Sequence, residues 1–508
     1  MEERRYGIRS SLAIAVGILA GGCSTAIATP DGASSATMIA EPTDEAQPTG
    51  DALPSSASTE SAGLVASIRS SFLTQLEVPP SEPPPPAAAP WTHAHGGSGD
   101  DGATSIARSG SNLITGGWLG ASGDVGCGMH TMPGYAGYVA AYDPDGACLW
   151  SSYFEGADWV SAVATDPNGA IYVTGTFAGT VTFGGETYTS NEDSTDVFVA
   201  KLGANGAIQW VQTIGSADED YVYAIAATSG RVAIGGSHGA AMTDFASALT
   251  SNGGGDGFVV EYDTGTGALS AAHAFGGTGW DSVDALAYAP DGALAVGGNF
   301  AGTVDFGLGP IASAGGQDGV VVVYEPGGAT RAVRRIGGKS SDAVHAMTYD
   351  SSGQLVVAGY FRGAGDVNGG QSLVGEGDYT GFVTTWNREL TVDKVLTMPA
   401  SKNLLPSALD PLPGGGFVVA GSFTGTARLG TKTIVSSGSE KSAFVATYTY
   451  ASGWTWAEAS GTGAEAMGVK VADTGAIVAV GTFDGSIGTA QLSTAGSGDA
   501  FVVSFVVP

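Results

Sequence analysis

Seven times between Trp91 and Pro508 the chain returns to one pattern, and no other property limits its fold as strongly. One copy reads Asp281-Ser-Val-Asp-Ala-Leu-Ala, then Asp291-Gly-Ala-Leu-Ala-Val-Gly-Gly-Asn-Phe300, then Asp318-Gly-Val-Val-Val-Val-Tyr324. The glycine that closes the second piece recurs at Gly117, Gly175, Gly236, Gly298, Gly359, Gly421 and Gly481, at intervals of 58 to 62 residues. The third piece recurs as Tyr138-Val, Phe198-Val, Phe258-Val, Val320-Val, Phe382-Val, Phe444-Val and Phe501-Val. Seven equal units make one array, where a length of 508 alone would suggest several independent domains.

Each unit carries four short runs rich in Val, Ala, Ile, Phe and Tyr. Turn signals such as Asp143-Pro-Asp-Gly146, Asp166-Pro-Asn-Gly169 and Pro290-Asp-Gly292 separate them, which is the pattern of strands and hairpins. The 82 glycines are too many for a helical protein and supply this punctuation. The expected fold is all-β: a seven-bladed β-propeller of four-stranded antiparallel blades. A right-handed β-solenoid is the competing architecture, and the ends of the repeat weigh against it. The run Phe501-Val-Val-Ser-Phe-Val506 matches a third strand with no fourth after it, while Trp91-Thr-His-Ala-His95 stands unmatched before Asp101-Gly-Ala-Thr-Ser-Ile-Ala107. An N-terminal strand that completes the last blade would close a ring, which a solenoid does not need.

The repeat combines D-x-F-V-x-x-Y, a following G-x-x-x-W turn, and D-x-V-x-A-x-A before V-x-G-x-F-x-G. In this it resembles the seven-bladed β-propeller (SBBP) repeat family of bacterial secreted and surface proteins, over Trp91 to Pro508. The turn tryptophan is present as Trp150 and Trp210 and absent from the middle units, and one unit has Asn403 and Pro406 where others have Asp and a small or polar residue. The resemblance implies a scaffold and brings no shared catalytic residues.

Ahead of the repeat lie an address and a spacer. Arg4, Arg5 and Arg9 precede the apolar run Leu12–Ala20, too short to span a membrane, so residues 1–23 read as a secretory signal. Leu19-Ala-Gly-Gly-Cys23 resembles the bacterial lipoprotein signal, which makes Cys23 the expected lipidation site, although the aliphatic residue sits one place further from the cysteine than is usual. Ala26-Ile-Ala28 offers ordinary cleavage and secretion as the alternative. Either places the fold outside the cytoplasm. Residues 24–90 hold 11 of the 22 prolines and eight acidic residues against one basic, the composition of an extended linker. A short helix over 63–78 is expected within it from the spacing of Leu64, Val65, Ile68, Phe72, Leu73 and Leu76.

Charge narrows the partners. The net charge is −30, of which the linker carries −7 and the repeat domain −24. Such acidity disfavours nucleic acid and anionic headgroups, leaving an envelope protein or a glycan as partner, a membrane only through the lipid anchor, and a monomer as the expected state. Removing Cys23 leaves Cys127 and Cys148, an even number in an oxidising compartment, and a disulfide between them is expected.

Asp101, Asp158, Asp220, Asp281 and Asp342 occupy one repeat position just before the innermost strand, with Asn403 in the next unit, and are expected as a ring near one mouth of the channel. Carboxylate oxygens suit calcium, the one cofactor these residues suggest. The same Asp in blade after blade also fits a brace for backbone amides, which needs no cofactor and which repetition favours. His93 and His95 share one strand face, expected as exposed polar surface. No catalytic or metal-binding motif is present, and the loops between second and third strands are the variable part. The reading is a non-catalytic binding or display module at the cell envelope. The alternative is a propeller-type polysaccharide lyase or glycoside hydrolase, in which one or two blades would break the repeat with inward acidic, basic or tyrosine side chains. A quinone-binding propeller is suggested only by the G-x-x-x-W turns.

Overall fold

The computed structural model describes residues 90–243, 245, 249–368, 370–488 and 492–507. The signal segment, the linker and its expected helix over 63–78 lie outside the described residues.

Seven four-stranded antiparallel sheets follow one another along the chain. Their innermost strands are Gly102–Ser109 (blade 1), Ala157–Thr165 (blade 2), Asp220–Thr228 (blade 3), Ser282–Tyr288 (blade 4), Ala343–Tyr349 (blade 5), Asn403–Pro411 (blade 6) and Glu465–Val471 (blade 7). Each innermost strand packs against that of the next blade, and the seventh packs against the first, so the sheets form a closed ring. The only helical element among the described residues is the single turn Asn191–Asp193. The protein is a seven-bladed β-propeller.

The core is divided as the ring requires. Seven hydrophobic clusters occur among the described residues, one for each pair of neighbouring blades. Third strands serve two clusters at once: Val320 and Val322 face blade 3, while Val321 and Val323 face blade 5. A strand buried on both faces is apolar at every position, which explains the unbroken valine run.

The recurrent glycine has a steric cause. In every blade the innermost strand carries a bulge at the same step, as between Val283 and Ala285. The bulge brings a carbonyl against the second strand. A Cβ on Gly298 would lie 2.0 Å from the Ser282 carbonyl oxygen, and the other six glycines meet the same carbonyl at 1.8 to 2.2 Å. Only glycine fits beside that bulge.

Ring closure is made by the N-terminal strand Thr92–Gly97, which pairs with Asp499–Phe505 in the register His93↔Val502 and His95↔Ala500. It is the outer strand of blade 7. The stretch between second and third strands forms a β-hairpin in most blades where the sequence suggested a loop, for example Thr180–Phe183 with Glu186–Thr189 and Thr426–Leu429 with Lys432–Val435. Two of these hairpins extend the sheet of the preceding blade: Val367 pairs with Ile336, and Asp124 pairs with Gly96 of the closing strand.

Candidate functional site

Three groups of residues were singled out by the sequence, and the structure places them differently. Of the aspartates, Asp101, Asp220 and Asp281 are fully buried and Asp342 nearly so. They lie in the seams between blades, closed off from solvent. Asp281 Oδ2 accepts the Gly277 amide (2.9 Å) from the preceding outer strand and Oδ1 accepts the Ala301 amide (2.8 Å) from its own second strand. Asp101 accepts the Gly97 and Gly120 amides, and Asp342 the Gly338 and Arg362 amides, in the same way.

Asp158 is different. A second bulge between Ala157 and Trp159 pushes it out of register, and Ala157 takes the buried position. Asn403 falls one place short: the amide that meets the preceding blade belongs to Leu404, as that of Asp281 does in blade 4.

A second set of buried aspartates went unread in the sequence. Asp196, Asp256, Asp318 and Asp499 begin the third strands, and each accepts a backbone amide from its own preceding loop, as Asp256 does from Asn252 (2.6 Å). They face the first set across the seams. The carboxylates therefore occur as Asp499–Asp101, Asp196–Asp220, Asp256–Asp281 and Asp318–Asp342, while the other three seams hold Ala136–Ala157, Thr380–Leu404 and Ser442–Ala464. Burial, with a neighbouring carboxylate adding to it, pushes Asp220 up to about 7 and Asp281 and Asp342 up to about 6.

The expected disulfide is present between Cys127 and Cys148, with Cα atoms 5.3 Å apart. It ties the blade 1 hairpin to the outer strand of that blade. His93 and His95 do share a face, with ring centroids 5.7 Å apart, but His95 is buried. Tyr142 holds it through Nδ1 (3.2 Å), and burial lowers its pKa to about 4. The exposed face expected there is instead a packed seam.

The chemically varied surface is the innermost edge of the ring. The bulged residue of each innermost strand is half-buried and differs from blade to blade: Thr104, Ser161, Tyr223, Asp284, His345, Ser407 and Met467. Blades 3, 4 and 5 thus set Tyr223, Asp284 and His345 side by side. Asp284 accepts bonds from Ser282 Oγ (2.8 Å) and Asn299 Nδ2 (3.2 Å). Burial raises its carboxyl pKa, and the His345 imidazole opposes that shift. Tyr360, opposite Ala343 on the second strand of blade 5, sits edge-on to His345 (5.0 Å). Burial, and then Asp284, hold its hydroxyl well above the ordinary range.

Trp280 stands at the rim of the same arc. It is 47% exposed, and a Cβ on Gly255 would lie 3.1 Å from its ring, so one face rests on backbone and the other is open. Gln317 Nε2 donates to its carbonyl (2.9 Å), fixing the rim. Among the described residues, no three His, Cys, Asp or Glu side chains are grouped to hold a metal ion.

No protein-family model matches this chain, and no curated protein matches it in sequence. Among solved structures the chain is similar to the Dos1 propeller, at 10% identity over 81% of this chain and 94% of that one with a TM-score of 0.41. It is similar to the β-propeller domain of the Trilobed protease from Pyrococcus furiosus, at 9% identity over 77% and 93% with a TM-score of 0.38. It is also similar to a europium-containing methanol dehydrogenase, at 10% identity over 83% and 93% with a TM-score of 0.36. No activity is carried over from similarities this distant. What stands is the architecture: a closed seven-bladed β-propeller with one chemically distinct arc on blades 3 to 5.

Proposed function

We propose that this protein is a cell-envelope-tethered propeller that binds a glycan at the channel mouth on blades 3 to 5, without turning it over. Trp280 carries the reading. A rim tryptophan with one face seated on the Gly255 backbone and one open to solvent is a rigid stacking platform, and it loses little freedom when a flat apolar sugar face covers it. Tyr223, Asp284 and His345 lie deeper along the same arc and supply the few convergent polar groups that fix a ligand's orientation. The net charge of −30 favours neutral or amino sugars over polyanionic ones. Attachment through Cys23, the linker over 24–90 as a spacer and kinship with the SBBP repeat family belong to the same proposal, supported by the residues that suggested them.

A polysaccharide lyase or hydrolase is the second reading, favoured by Asp284, His345 and Tyr360, three proton-transferring groups in one arc with a raised Asp284. A hydrolase needs a carboxylate pair flanking the scissile bond, and the bulged-residue ring carries the single carboxylate of Asp284.

A glycan array probed with the wild-type protein and with Trp280→Ala, beside a turnover assay on every retained glycan, tests the reading. Retention that Trp280→Ala removes at an unchanged Tm supports it. Cleavage of a retained glycan transfers the site to the enzyme reading, and retention of no glycan overturns both.

A further inference from the structure

We propose that the glycan received on blades 3 to 5 bears a carboxylate, as a uronic acid does, and that Arg362 at the rim of blade 5 holds it. This rests on the glycan reading above and adds what the sugar must carry. The argument starts from where the cations lie. The repeat domain has 15 Lys and Arg, and 11 of them fall between Arg331 and Lys441, where they meet nine carboxylates. That stretch is net +2 in a domain whose remainder is −26. The charge of the ring therefore reverses from the outer strand of blade 4 to the third strand of blade 6.

Many of these cations are already engaged. Arg331, Arg335, Arg388, Arg428 and Lys441 are held in ion pairs. Lys339, Arg362 and Lys402 are exposed and enter no ion pair among the described residues. All three stand at the mouth end of the ring. Lys339 and Lys402 lie in the connections into blades 5 and 6, as Trp280 lies in the connection into blade 4. Arg362 directly follows the second strand of blade 5, three residues after the recurrent glycine. The other blades carry Gly120, Ala178, Gly239, Ala301, Thr424 and Asp484 at that place. A brace that every blade needs would repeat, whereas this arginine breaks the repeat once.

Ring contacts join Arg362 to the polar arc. Its guanidinium lies over the buried Tyr379 ring, 5.8 Å from the centroid. Tyr379 is edge-on to Tyr360 (5.1 Å), and Tyr360 is edge-on to His345 (5.0 Å), which interacts electrostatically with Asp284. The backbone beneath is fixed from both sides. Asp342 accepts the Gly338 amide (2.7 Å), next to Lys339, and the Arg362 amide (2.9 Å). The Lys402 carbonyl accepts the Asp378 amide (2.9 Å) from the loop that ends in Tyr379. Glu376 of that loop is taken up by Arg428, so Asp378 is the loop's one carboxylate set against three cations.

A guanidinium seated on an aromatic face keeps its N–H edge open, and that planar fork matches the two oxygens of a carboxylate. Trp280 and Arg362 stand on adjacent blades, either side of the seam braced by Asp342. A glycan stacked on the first therefore offers a substituent of its next sugar to the second. The domain's net −24 does not forbid an anionic group there. At physiological salt, exposed charges beyond about 8 Å are largely screened, so one carboxylate meets mainly the local cations. A polyanion would also reach the acidic connection into blade 3, where Asp218 and Glu219 are exposed. The rim thus selects a chain that is neutral apart from one acidic sugar.

The test measures the affinity of the whole protein for matched tetrasaccharides of glucose, galactose and mannose, each neutral or with one hexose replaced by its uronic acid. In at least one series the uronic member is expected to bind about tenfold tighter or more at about 50 mM NaCl. That ratio should fall by about threefold or more at about 500 mM NaCl. Arg362→Gln should bring the ratio to about one at an unchanged Tm, and Arg362→Lys, which keeps the charge and loses the fork, should leave it in between. Equal binding of the two members, or a preference that survives Arg362→Gln, overturns the proposal while the neutral member still upholds the glycan reading. Binding of neither member in any series overturns both. A sulfated counterpart that binds more tightly than the uronic member overturns the carboxylate assignment. Retention of a tetraglutamate peptide as tightly as the uronic member assigns the cations to a protein partner, which also overturns it.

Discussion

Between blades 5 and 6 the chain runs on through Pro399 and packs Met398, Leu404 and Phe417 into an apolar seam. Between blades 7 and 1 the two sides come from opposite ends of the domain, and the seam contains Asp101, Asp499 and the buried His95. The first seam is held by chain continuity, hydrophobic contact, backbone hydrogen bonds such as that from the Leu404 amide to the Tyr379 carbonyl, and the exposed Arg428–Glu376 ion pair. The second is also continuous, since the outer strand of blade 7 runs through Gly97 into blade 1, but blade 7 itself is closed without a covalent link. That closure is reinforced three times: by the pairing of Thr92–Gly97 with Asp499–Phe505, by a hairpin that pairs with Gly96 and Gly97, and by the disulfide that anchors this hairpin. The lesson is that paired buried carboxylates are not needed to join blades.

The largest expected effect that sharpens this contrast is removal of Thr92–Gly97. It exposes the edge of the last third strand and opens the blade 7 and blade 1 clusters, so the Tm should fall by more than about 10 °C and the transition should lose its cooperativity. An unchanged Tm would mean that blades 7 and 1 hold together as blades 5 and 6 do. Next comes Gly298→Ala, which puts a methyl 2.0 Å from the Ser282 oxygen; a loss of about 3 kcal/mol or more is expected in chemical denaturation. Replacing Cys127 and Cys148 by alanine frees a loop of 21 residues and should cost about 3 kcal/mol, with faster amide exchange in the closing strand and none of that change between blades 5 and 6.

The smallest effect is in pH, and its sign separates the two kinds of buried group. His95 titrates at about 4 in the folded protein against 6.5 in the unfolded chain, so the unfolded chain takes up its proton first. Stability from His95 is lost as pH falls from about 6.5 to about 4 and is flat below. Asp281 and Asp342 are raised from 3.8 to about 6, so their contribution is present at low pH and is lost as pH rises through about 6. Amide exchange at pH 5 and pH 7.5 should therefore show the closing strand around His95 loosening in acid, offset where burial raises Asp499 beside it, while the seams of blades 3, 4 and 5 tighten. Parallel shifts at both places would contradict this assignment.

Much of the ring was legible because its rules are periodic. A glycine at each bulge, valine runs on strands buried on both faces and Asx turns such as Asp143 bonding the Asp145 and Ala147 amides all repeat with the unit. What escaped depends on relations between units. Asp499 and Asp101 are nearly the whole domain apart, and Asp256 and Asp281 lie in different units, so a comparison of aligned copies examines each acidic position alone and misses the pair. Asp158 looked equivalent to the others because a one-residue slip in a bulge leaves no mark on composition, and Asn403 because its unit begins one residue later than the spacing of the preceding units suggests. The arc of Tyr223, Asp284 and His345 sits at the variable place in D-x-V-x-A, which reads as noise until the bulge turns that residue out of the pairing. His345 in particular was scattered in sequence and becomes the neighbour of Asp284 only when the blades are set in order.

The most direct test of the central claim, that ligand is received at the channel mouth on blades 3 to 5, is hydroxyl-radical footprinting of the protein with and without a glycan it retains. Protection of Trp280 and of Tyr223, Asp284 and His345, with Met129, Val374 and Val435 at the hairpins as reactive as before, is the expected result. Protection of the hairpins with Trp280 still fully reactive would contradict the claim and move recognition to the outer rim of the propeller.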